Sequence, residues 1–209
     1  MGWLKWVVGA FIVLGVSANI LKNDREANNE STPVELVEKA KSDGSSSSDS
    51  TPSQPQPQSQ SNFVNLVETY SSRFGGAKNE LQESIMRDER RGAILDVLES
   101  GLSVANWQGT ISQLETNMEG KAILSVRVSP NVVLKTWNNA LSDIFDNTLI
   151  DKNSPSYLAL IELSVGDNVL FSGNFLSSDE DGVKETSITT GGSMQEPEFL
   201  FKFNKIMKE

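Results

Sequence analysis

The sequence predicts a mainly β fold with N-terminal helices: a five-stranded Greek-key barrel, preceded by a helical segment and by an N-terminal transmembrane or signal helix. Three observations predict it. Apolar residues alternate with period two through residues 102–209, the mark of strands with one buried face. A helical period runs through residues 62–101. Residues 1–21, MGWLKWVVGAFIVLGVSANIL, form an apolar run of membrane length.

The stretch that organises the barrel is 154–175, SPSYLALIELSVGDNVLFSGNF. Ser154-Pro155 is a helix-start signal, because proline at the first helical position gives up no needed N–H. Tyr157, Leu158, Leu160, Ile161 and Leu163 then supply the apolar side of a short helix. Gly166-Asp167 makes a turn, and Val169, Phe171, Gly173 and Phe175 alternate along one face of a strand.

Composition removes whole classes of chemistry. The 209-residue chain has no cysteine, so it has no disulfide and no thiolate metal site. It has no histidine, the commonest general base and metal ligand. Zinc sites of those types and Ser-His-Asp or Cys-His catalysis are excluded. The formal charge is −10, and from Asn62 onward 13 Lys and Arg face 21 Asp and Glu. Such an acidic field repels a phosphate backbone unless a local basic stripe overrides it.

At the N-terminus, Trp3 to Leu21 spans 19 residues, about 28 Å as a helix and close to a bilayer's hydrocarbon thickness. Trp3 and Trp6 suit the interface and Lys5 can snorkel. The rival reading is a signal peptide cleaved after Ala18, since Val16-Ser17-Ala18 fits the small-x-small pattern. Either way the rest is expected to be exported: anchored in the cell membrane by a single pass, or secreted after cleavage. Residues 22–61 read as a disordered Ser/Pro/Gln-rich linker, with a short helix at 33–41 opened by the capping box of Thr32, Pro33 and Glu35. Its last part, 42–61, holds no apolar residue but proline and has a mean reach of roughly 25 Å. It is a tether.

Residues 62–101 form the helical segment. Phe63, Leu66, Val67, Tyr70 and Phe74 lie on one side, and Gly75-Gly76 breaks the helix. The pattern resumes with Ala77, Leu81, Ile85, Ile94, Leu95 and Leu98. Arg87, Arg90 and Arg91 are interleaved with Asp88 and Glu89 and read as a solvated helix face.

In residues 102–209 the element order is strand, strand, strand, helix, strand, strand. Trp107, Gly109 and Ile111 alternate in the first strand; Leu124, Val126 and Val128 in the second; residues 132–137 make the third. Residues 183–188 read as a further strand, interrupted by Gly191-Gly192 and Pro197 before Phe199, Phe201 and Phe203. That order is that of the oligonucleotide/oligosaccharide-binding (OB) barrel. WQGTISQLETN, followed by a hairpin and by a helix before VGDNVLFSGNF, resembles the OB-type domains of uncharacterised exported bacterial proteins, some described as tRNA-anticodon-binding-like. The likeness covers about half the chain and implies a binding barrel, not an enzyme.

In an OB barrel the face of strands two and three does the binding. Arg127, Lys135 and Trp137 are expected on that outer face, with Asn138 and Asn139 extending it. An aromatic ring beside amides and cations suits a sugar, a peptide or a base. The bland alternative puts Trp137 in the core and makes the Asn and Asp residues shape a turn. Asp143, Asp146 and Asn147, or Asp179 and Asp181, match no calcium-loop spacing and read as solvated tips. The functional expectation is a non-catalytic, membrane-tethered module that recognises an envelope protein, peptide or glycan without cofactor or metal. The alternatives are a single-stranded nucleic-acid-binding protein and an envelope hydrolase using Asp or Glu carboxylates.

Overall fold

A computed structural model describes residues 55–98 and 101–209. The apolar N-terminal stretch, the alternative cleavage after Ala18, the expected 33–41 helix and most of the linker lie outside the described residues. Among the described residues no helix is long and apolar enough to cross a membrane.

Two helices come first, α1 (Gln58–Gly75) and α2 (Glu80–Val97), joined by a short turn at the predicted glycine break. Asn79 caps α2, its side chain accepting from the Gln82 N–H at 3.1 Å. The five strands β1 (Ser103–Thr116), β2 (Ala122–Ser129), β3 (Val132–Lys135), β4 (Asn168–Phe175) and β7 (Glu198–Lys208) close into a barrel in the order β1-β2-β3-β7-β4. All neighbours run antiparallel except β3 and β7, which are parallel. Helix α3 (Pro155–Leu160) lies between β3 and β4, where Ser154 accepts from the Tyr157 N–H at 3.1 Å and Pro155 opens the first turn. Val169, Phe171, Gly173 and Phe175 all point into the barrel, as their alternation predicts.

Two glycines allow the sheet to curl. A Cβ at Gly109 would stand 2.5 Å from Val126 Cγ1 and 2.8 Å from the Arg127 carbonyl oxygen. There β1 leaves β4 and joins β2, with Thr110 paired to both Arg127 and Asn168. At Gly173 a Cβ would stand 2.1 Å from the Lys202 carbonyl oxygen, beside a bulge in the β4–β7 ladder. Only glycine fits such corners.

Both ends of the barrel are plugged. Leu160 and Leu163, in and after α3, are buried at one end, and the Ser156 hydroxyl donates to the Asn204 carbonyl at 2.9 Å. At the other end α1 inserts Phe63, whose ring lies 5.4, 5.0 and 5.2 Å from those of Trp107, Phe175 and Phe199. Helix α1 begins inside the Ser/Pro/Gln-rich stretch that reads as spacer. Gln60 is buried there, donating to the Gln108 carbonyl at 2.6 Å and accepting from the Gln108 N–H at 2.7 Å. Trp107 Nε1 donates to Ser59 Oγ at 3.1 Å. A polar side chain that completes a backbone ladder is satisfied when buried, so low-complexity sequence becomes core.

Two expectations need correction. Leu81 and Ile85 are exposed, because α2 packs through its C-terminal half, with Arg90, Ile94 and Leu98 buried. The strand expected over residues 183–188 is not a barrel strand. The β4–β7 connection instead holds a minimal hairpin of β5 (Ser177–Ser178) and β6 (Gly182–Val183), then the short helix α4 (Thr190–Gln195). Thr189 caps α4 by accepting from the Gly192 N–H at 3.1 Å, and Met194 is buried. Burial of one face beneath the helical pair decides the conformation over the strand propensity of its residues.

Replacing Phe63 by alanine should cost about 3–5 kcal/mol by emptying the centre of an aromatic cluster. Gly173→Ala should cost about 3 kcal/mol through overlap with backbone. Urea unfolding of each variant against the parent measures both, and a loss below about 1 kcal/mol for Phe63→Ala would contradict the plug.

Candidate functional site

The alternation of β2 sends Leu124 and Val126 inward and turns Arg127 outward. On β3, Leu134 is buried and Lys135 faces out. Arg127 pairs in register with Val133 and Lys135 with Ser125, so the two cations lie two residues apart on one outer face. Their circumstances differ. Lys135 Nζ is 3.0 Å from Glu198 Oε2, which also accepts from Thr186 Oγ1 at 2.7 Å. Burial alone would raise the Glu198 carboxyl, but the hydrogen bonds from Thr186 and Lys135 and the Lys135 charge hold it below its ordinary value. Arg127 is exposed, and its guanidinium has no ion pair or hydrogen bond among the described residues.

Trp137 is neither core nor a free stacking platform. Its indole is half-buried and donates from Nε1 to Asp146 Oδ2 at 2.7 Å, and its N–H donates to Thr148 Oγ1 at 2.8 Å. Lys184 Nζ binds both oxygens of Asp146, at 2.8 and 2.7 Å. Asn138 and Asn139 are exposed in the loop after β3; Asn139 Nδ2 donates to Asn138 Oδ1 at 2.6 Å and Asn139 Oδ1 accepts from the Ser142 N–H at 2.9 Å. The structure therefore groups Arg127 and Lys135 on the sheet and places Trp137, Asn138 and Asn139 at the base of a separate loop. The expected solvated tip at Asp143 is also corrected: its carboxylate is buried, accepting from the Thr148 N–H, the Thr148 hydroxyl and the Leu149 N–H at 2.6, 2.7 and 3.0 Å. Among the described residues no group of three or more acidic side chains is placed to hold a metal ion.

Arg127 stands between two depressions. The larger, an open groove of about 690 Å³, is lined by Gln56, Gln108, Thr110, Ser129 and Asn168 among others. Thr110 Oγ1 donates across it to Asn168 Oδ1 at 3.0 Å, while Ser129 Oγ is buried without a hydrogen-bond partner. The smaller, about 260 Å³, runs past Asn131, Val133, Glu196 and Glu198. Gln108, Thr110 and Asn168 were not singled out by sequence. The outward register of Gln108 and Thr110 is legible in the β1 alternation, but their meeting with Asn168 depends on a pairing 58 residues apart.

The arginine cluster on α2 is not a solvated face. Arg87 holds Asp181 with two bonds, at 2.7 and 2.9 Å, and Arg91 donates to the Glu180 carbonyl at 2.7 Å. The Arg90 side chain is 1% exposed, ion-paired with Glu185 and donating to the Ser193 carbonyl at 2.8 Å. These bonds fasten the β4–β7 connection to the helical pair. Glu185 is 2% exposed and its Oε2 has no partner. Burial, opposed by the Arg90 charge, pushes its carboxyl up to about 7. A raised acid is a signature of catalysis when substrate can reach it, and here none can.

Compared with known proteins, the chain matches no family model, no curated protein and no solved structure. The functional reading rests on the geometry of the barrel and its outer face.

The raised carboxyl carries a pH dependence whose sign is fixed. Because folded Glu185 holds its proton more firmly than unfolded Glu185, its contribution is complete below about pH 4.5 and is lost as pH rises through 7. The chain has no histidine, the side chain whose ordinary charge change falls between about pH 5 and 8. Stability should fall by up to about 3 kcal/mol from this group between pH 4.5 and 8. Glu185→Gln should flatten that slope in melts at pH 5 and pH 8; parallel slopes in the two proteins would contradict the assignment.

Proposed function

We propose that the chain is a non-catalytic binding module on an OB-like barrel, tethered to a membrane by its N-terminal apolar stretch. Its outer face over β1, β2 and β3 recognises an envelope protein, peptide or glycan. Five strands closed in Greek-key order, with a helix between the third and fourth, support the OB reading. The observation that carries the binding site is the state of Arg127. The other described arginines, at 73, 87, 90 and 91, each hold a carboxylate or a carbonyl. Arg127 alone among them has no ion pair or hydrogen bond among the described residues, and it lines a groove of amides and hydroxyls that Glu209 also borders. A fork of N–H donors beside amides and hydroxyls suits ligand carboxylates, carbonyls and sugar hydroxyls.

The same geometry weighs against the two alternatives. Of Arg127, Lys135 and Trp137, which motivated nucleic-acid binding, Lys135 and Trp137 are held by Glu198 and Asp146, only Arg127 is unpaired, and the larger groove is lined by no aromatic ring. For a hydrolase, the carboxyls of Asp143 and Glu185 are buried and those of Asp146 and Glu198 are ion-paired, so none of these four is free to act on a substrate.

Full-length protein in detergent should bind members of a glycan and peptide array, and Arg127→Ala should weaken each such interaction about tenfold or more. The melting temperature should not move, since the side chain is exposed. Unaltered affinity in the variant would contradict the site, and an array without a hit would contradict the reading.

A further inference from the structure

The loop between β3 and α3 turns its charges inward and its apolar side chains outward. Over residues 138–147, Leu141, Ile144 and Phe145 are 79%, 56% and 91% exposed. Both carboxylates of the loop are engaged: Asp143 by three donors of Thr148 and Leu149, Asp146 by Trp137 and Lys184. The remaining exposed side chains are Asn138, Asn139, Ser142 and Asn147, all uncharged. The folded part is acidic, yet this tip shows water no charge, and the hydrogen bonds beneath hold it in one shape. Apolar clusters rimmed by polar residues mark interaction sites.

The size and charge of the tip select its occupant. Three side chains fall far short of the roughly 600 Å² or more per partner that a stable dimer buries. A lipid surface needs no shape match and accepts a small protruding apolar tip at the headgroup boundary. An uncharged tip enters it without desolvating an ion, while the acidic domain behind is repelled by anionic headgroups. We propose that loop 138–147 inserts Leu141, Ile144 and Phe145 into an uncharged, zwitterionic lipid surface. This contact draws on the membrane tether proposed above, which supplies the local concentration that makes a weak contact effective.

The chain has no cysteine, so I144C carries a single environment-sensitive fluorophore. Full-length labelled protein is added to phosphatidylcholine vesicles with brominated acyl chains. The label should shift to the blue and be quenched, and F145D in the same background should place roughly tenfold less label in lipid. Phosphatidylglycerol should weaken the contact, and a label at L81C, exposed on α2, should stay in water. A label at 144 that stays in water while the protein floats with the vesicles overturns the tip contact, leaves the tether standing and points to a protein partner. Failure to float overturns both. An equal response at residue 81, or one that F145D leaves untouched, is nonspecific adsorption and also overturns the proposal.

Discussion

A closed five-stranded barrel still has two open ends, and at the end where β1 and β7 begin the gap is filled by Phe63 of α1. Trp107, Phe175 and Phe199 surround that ring, and all three are buried beneath it. Gln60, one turn earlier, joins the helix to the backbone of Gln108 with two hydrogen bonds. Apolar insertion and backbone pairing together make the helical pair part of the barrel. The same helices reach the β4–β7 connection through Arg87, Arg90 and Arg91, so one docking event orders both.

That arrangement bears on which surfaces the proposed binding would use. One end of the barrel is taken by α1 and the other by α3, and Phe63, Leu160 and Leu163 from these ends join the buried core. The β4–β7 connection is fastened by three arginines, through Asp181, Glu185 and the carbonyls of Glu180 and Ser193. Two surfaces stand clear of these contacts: the curved outer face of β1 and β2, opened by the turn at Gly109, and the loop after β3. The two differ in chemistry. The face offers a guanidinium, amides, hydroxyls and the Glu209 carboxylate; the loop offers three apolar side chains.

Features governed by near neighbours were legible in the sequence. Ser154 and Pro155 announce α3, Gly75-Gly76 separates α1 from α2, and alternation orients Val169 to Phe175 and Arg127. Features governed by distant partners were not. Nothing local distinguishes Arg90 from Arg87 or Arg91, and its burial depends on Glu185, 95 residues away. Gln60 lies among serines and glutamines that look alike, and only its position against Gln108 makes it core. Trp137 stood out as an aromatic beside amides; its bond to Asp146, nine residues on, turns it from a ligand platform into a loop brace. At the site, the direction of Arg127 could be read from β2, but its lack of a partner could not, since that depends on where every carboxylate falls.

The central claim is that α1 and the barrel are one cooperative unit, joined through Phe63 and Gln60. Hydrogen exchange followed peptide by peptide in the full-length protein tests it most directly, because exchange reports the free energy of each local opening. The account predicts that the amides of α1 around Phe63 exchange through the same global opening as those of β1 and β7, with matching rates and matching response to denaturant. An α1 that exchanges orders of magnitude faster than β1 would show a barrel that closes without its helix, and would contradict the account.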